Sequence, residues 1–131
     1  MDVWIFIALA ILLGFVLLFI LKRKKSGFSA DEKKRYQSYW QKINGIPDKR
    51  HAVLEADKLL DALLKHKGYS GSLGEKLKAA DECFNNIDQV WRAHKLRNRL
   101  AHEMDFAPPE KDLRGALQSF YAAYKDLGLF D

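Results

Sequence analysis

The stretch PDKRHAVLEADKLLDALLKHKG, residues 47–68, decides how this chain folds. Val53, Ala56, Leu59, Leu60, Leu63 and Leu64 recur three and four apart, the spacing that stacks side chains on one face of a helix turning about 100° per residue. A face that dense has to be buried against other helices. Pro47 and Asp48 suit the opening of the helix and Gly68 its close, because glycine accepts the left-handed backbone that caps a helix end.

The flanking segments carry the same punctuation. Upstream, Ser29 with Glu32 three residues on makes a capping-box pattern, and Tyr36, Trp40 and Ile43 follow at helical spacing until Gly45. Downstream, Ser72 with Glu75 repeats that pattern and introduces Leu73, Leu77, Ala80 and Phe84. A further helix is expected over residues 87–104. The sequence APPE then breaks the chain and places Pro109 in a first turn, where a missing N–H costs nothing. The last helix carries Leu113, Ala116, Leu117, Phe120, Tyr124 and Leu127, with Gly128 as its cap. No strand pattern competes. Residues 29–131 read as an all-α, antiparallel bundle of four to five helices joined by short loops.

The N-terminus is of another kind. Residues 3–21, VWIFIALAILLGFVLLFIL, form an apolar run without a charge, matched in length to a hydrocarbon core of about 30 Å at about 1.5 Å per residue. Trp4 suits an interfacial position. Asp2 precedes the run and Lys22, Arg23, Lys24 and Lys25 follow it, the reverse of a cleaved signal peptide. The reading is a single transmembrane helix at 1–21, a basic juxtamembrane linker at 22–28 and a cytoplasmic bundle at 29–131. The chain is thus expected in the cell membrane, single-pass, with its N-terminus outside and the lipid bilayer as a partner. Those four basic residues supply most of the net charge of +5, so the bundle itself is only mildly basic. Charge alone does not make it a nucleic-acid binder. Cys83 is the only cysteine, which excludes an intramolecular disulfide.

The chemistry gathers in KLRNRLAHE, residues 95–103. On a wheel of about 100° per residue starting at Ile87, Val90, Trp91, Ala93, Leu96, Leu100, Ala101 and Met104 share a wide apolar arc. Asp88, Arg92, Lys95, Arg99 and Glu103 share a charged one. Arg97 falls inside the apolar arc at about 280°, with His94 and Asn98 in the same arc and His102 at its edge. A guanidinium removed from water without partners costs several kcal/mol and cannot escape by losing its proton. Arg97 is therefore either paired across the bundle, with Glu55 or Asp57 as candidates, or set where an anion can reach it. In the second case it offers a fork to a phosphodiester, and His102 offers proton transfer near neutral pH. Asn98 and His102 are neighbours at i and i+4. Arg97 and His102 lie about 140° apart on an ideal helix, so one helix does not easily aim both at one atom.

RNRLAH, residues 97–102, resembles the signature of the HEPN family (higher eukaryotes and prokaryotes nucleotide-binding): an arginine, a polar residue after it, and a histidine beyond a short spacer. The family fold is a bundle of four or five helices, in agreement with the reading above. Many members are metal-independent RNA endonucleases that bring arginine and histidine together at a dimer interface. The resemblance implies catalytic roles here: Arg97 on the phosphate, His102 as acid or base, Asn98 holding the geometry. It implies a homodimer, RNA or a nucleotide as ligand, and no cofactor. Other members are not catalytic, which leaves a silent interaction or nucleotide-sensing module as the alternative. Arg92, Lys95 and Arg99 flank the motif as candidate contacts to an RNA backbone. Tyr36, Tyr39 and Trp40 are candidates for base stacking, or simply core. The four histidines show no metal-ligand spacing, and GYSGSLGEK at 68–76 lacks the strand and the lysine–hydroxyl ending of a phosphate loop, so no metal is expected.

Overall fold

The computed structural model describes residues 2–24 and 27–131, with side chains for 2–19 and 27–131. Its helices are α1 (Val3–Lys24), α2 (Ala30–Asn44), α3 (Lys49–His66), α4 (Leu73–Ala79), α5 (Ile87–His102) and α6 (Glu110–Asp126), with a 3-10 turn at Asp81–Cys83. There is no strand among the described residues.

The helix that the sequence singles out is the centre of the body. α3 touches α2, α4, α5 and α6, and α6 also lies along α5. Ala52, Val53, Ala56, Leu60, Leu63 and Leu64 are completely enclosed, as are Phe120, Ala123 and Tyr124 from α6 and Leu77 from α4. Removing the valine, leucine and phenylalanine side chains from water stabilises by about 1.5–3 kcal/mol each, and the small Ala52, Ala56 and Ala123 let the helix axes approach. Trp40 closes one end, its ring stacked on Tyr121 and edge-on to Tyr124. Phe28 is buried against the rings of Tyr36 and His66 and begins the bundle before α2 does.

Local signals fix the ends. Ser29–Glu32 and Ser72–Glu75 both form complete capping boxes, and Asp48 and Asn86 cap α3 and α5 through their side chains. α3 stops where Gly68 takes φ +100°, which lets the Tyr69 N–H turn back to the Leu64 carbonyl. Pro109 stands at the N-cap rather than inside the first turn. α4 is shorter than its spacing suggests. It ends at Ala79, and Phe84 is extended yet buried, held because the next residue, Asn85, donates its backbone and side-chain N–H groups to the Asp126 carboxylate.

One expectation is corrected. Among the described residues, no helix is long and apolar enough to cross a membrane. The side chains of 20–26, and with them the basic cluster Lys22 to Lys25, lie outside the described residues. The transmembrane helix and the single-pass location in the cell membrane are not upheld. What the structure shows of α1 is a helix whose described side chains are all exposed, Trp4 at 78% and Leu13 at 69%, and which supplies nothing to the core.

Candidate functional site

α5 presents Arg97 where the wheel puts it, on the side turned to α3. Its Nε lies 3.3 Å from Asp57 Oδ2. Of the two acids the sequence offers, Asp57 is the partner. Glu55 faces the other way, with its carboxylate 3.0 Å from Lys58 and 3.7 Å from His51. The contact to Asp57 is an ion pair but not a hydrogen bond, since the Nε–H is poorly aimed. Among the described residues it leaves Nε as the one buried side-chain polar atom without a hydrogen-bond partner. The other side of the guanidinium donates from Nη1 to Asn98 Oδ1 at 3.1 Å.

His94 completes the cluster. Its Nδ1 is 2.9 Å from Asp57 Oδ1 and its Nε2 is 3.4 Å from Asn98 Nδ2. Asp57, His94, Asn98 and Arg97 therefore close a ring, with the carboxylate taking both neighbours. Asp57 itself is only 4% exposed, so its charge is compensated by these partners and not by water. The next residue back in the chain adds a brace, because the Tyr124 hydroxyl donates to the Ala56 carbonyl. Burial, with the Asp57 charge as a second cause, pushes the Tyr124 hydroxyl well above its ordinary pKa of 10.

Arg97 is not sealed. Its side chain keeps 26% exposure and lines a cleft of about 490 Å³ with Asp57, His94, Asn98, Lys58, Asp61 and the turn at 71–74. Lys76, itself buried, pairs with Asp61 at 2.6 Å. Arg97 and Lys58, the basic residues lining the cleft with His94, each have a carboxylate close by, Asp57 and Glu55, and the cleft's Asp61 is taken by Lys76. An incoming anion competes with those acids for the arginine.

The remaining candidates scatter. His102 is the last residue of α5, exposed, and the described residues give it no hydrogen bond or ion pair. It does not join Arg97 and Asn98 within one chain. α5 ends two residues before the expected 104, so Met104 leaves the apolar arc and is 91% exposed. Arg99 is taken up by Glu103 at 2.9 Å and by the Phe106 ring, 3.8 Å from its guanidinium carbon. Arg92 and Lys95 line another cleft with Lys78, Asp88 and Trp91. None of these three basic residues lines the Arg97 cleft. Tyr36 and Trp40 are core, whereas Tyr39 is exposed and borders a groove between α2 and α3. Among the described residues no group of three or more histidines, cysteines and carboxylates could hold a metal ion.

The sequence reading gave His94 no role, although its place at i−4 from Asn98 and inside the apolar arc was the available signal. Comparison of the chain with protein-family models, curated proteins and solved structures finds no match.

Proposed function

We propose that the chain is a HEPN-like helical domain that takes a phosphate of RNA or of a nucleotide at Arg97. The observation that carries this is the state of one side chain. Arg97 is held on both flanks by Asp57 and Asn98, yet it touches its acid through a single poorly aligned contact and keeps an edge on an open cleft. Arginine–carboxylate pairs frequently meet through two parallel N–H donors, and this one does not. The uncommitted edge suits a phosphate oxygen, and Asn98 fills the polar slot of the RNRLAH pattern.

The second reading is a metal-independent endonuclease acting as a homodimer, and it is favoured by a specific feature. The unpartnered His102 stands next to exposed apolar groups, Ala101 and Met104, at the end of α5. A second copy seated there would cover them and bring its own histidine towards the first chain's arginine.

The test is direct. A labelled mixed-sequence RNA is titrated with the full chain, beside Arg97→Ala and His102→Ala, in chelator. Loss of at least about tenfold in affinity for Arg97→Ala supports the phosphate site, since a bidentate charge-assisted contact contributes about 1.5–3 kcal/mol. Unchanged affinity reduces Arg97 to a structural ion pair. Cleavage that both substitutions abolish supports the second reading, and intact RNA at high protein concentration removes it.

A further inference from the structure

We infer that His94 is a positioning residue that decides whether Arg97 is held by its own chain or released to an anion. This rests on the phosphate reading of Arg97. The argument starts from arginine, which carries donors only. Asn98 must therefore turn its carbonyl oxygen to Arg97 Nη1, which fixes its NH₂ group toward His94. Nε2 of His94 must then accept, so the ring proton sits on Nδ1 and is donated to Asp57. Every orientation in the ring follows from its neighbour. The ring is complete only while His94 is neutral.

A second proton breaks that order. Nε2–H and the Asn98 NH₂ would then be two donors 3.4 Å apart, and relief requires Asn98 to rotate its amide so that the oxygen meets His94. The same rotation turns the NH₂ group on Arg97 Nη1, donor against donor. Asp57 meanwhile receives a charged imidazolium at 2.9 Å and no longer depends on Arg97 for its countercharge. Both changes release the guanidinium, and the cleft gains one positive charge. His94 shares its cleft with Asp57, Lys58 and Asp61 from α3 and Arg97 from its own helix, while Lys76 from α4 is bound to Asp61 and Tyr124 from α6 feels the Asp57 charge. Lys58 and Lys76 already have carboxylate partners, so Asp57 is the acid the new charge engages.

The experiment uses the full chain in nonionic detergent and a fluorescent 12-nucleotide 2′-O-methyl RNA, which cannot be cut through a 2′-hydroxyl. The parent is expected to bind about tenfold more tightly at pH 5.5 than at pH 7.5. His94→Gln, whose amide offers a donor to Asp57 and an acceptor to Asn98 but takes no proton, is expected to change less than about twofold over the same range. Asn98→Leu, which removes the acceptor from Nη1, is expected to bind at pH 7.5 as the parent does in acid. Nitrogen NMR of the His94 ring at pH 7.5 is expected to show Nδ1 protonated and Nε2 bare. A proton on Nε2 at that pH, or a His94→Gln response equal to the parent's, overturns the inference. If Arg97→Ala binds RNA as the parent does at both pH values, the phosphate reading fails instead, and the NMR result alone then decides the ring.

Discussion

Asp57 is the residue on which the most depends. It is the counter-ion of Arg97, the acceptor of His94 and a neighbour of the Tyr124 hydroxyl. Asp57→Ala leaves a half-buried arginine without an acid, and the expected loss is about 3 kcal/mol, at the lower end for a broken buried pair because Arg97 keeps some water. Urea unfolding measures it, and a loss under 1 kcal/mol would show that the ring adds little. The tyrosines give a second check. Tyr69 is pushed up to about 12, first by its hydrogen bond with the Cys83 thiol and then by burial, and Tyr124 is raised by burial and Asp57. Both folded values lie above the unfolded one near 10, so the stability they confer is whole below pH 10 and fades as pH climbs through the folded values. In an ultraviolet titration Tyr69 is expected to ionise at about 12 and Tyr124 only as the chain opens. A Tyr124 that ionised near 10 with the fold intact would contradict its burial. That Arg97 is out of place was legible from spacing alone, and so was Asp57 as one of two partners. The work done by His94 was not, because it depends on which way α3 turns its carboxylate once both helices are packed.

Among the elements, α4 is the most exposed to single changes, being seven residues long and held at its start by Ser72 and Glu75. Gly71 precedes that cap at φ +95°, and a methyl there would stand 2.9 Å from Glu75 Oε2. Gly71→Ala is thus expected to destabilise by about 1–3 kcal/mol, from left-handed strain together with damage to the capping box. Faster amide exchange confined to α4 would locate the effect, and unchanged exchange there would refute it. The starts of α2, α3 and α4 were readable because a cap is a local transaction between residues two or three apart. The end of α4 was not. Leu77 and Phe84 share helical spacing, yet the Asn85–Asp126 pair, forty-one positions apart, pulls the chain out of helix before Phe84 arrives. The end of α5 failed in the same way, as Glu103 turns extended and carries Met104 off the arc.

Across the whole molecule the body and α1 are separable. Since no described side chain of α1 belongs to the core, a chain starting at residue 27 is expected to melt within about 2 °C of the full chain in the same detergent, and a drop above about 5 °C would reveal support that the contacts do not show. The all-helical character of the body was legible, though not the ends of α4 and α5, because each apolar stripe has the period of a helix and a partner to cover it. α1 was read as a span from the apolar run at 3–21, and no helix among the described residues is long and apolar enough to be one. Its oily rod nonetheless has a practical outcome. Surface of that extent left open to water draws copies of the intact chain into clumps that grow with concentration and come apart in detergent.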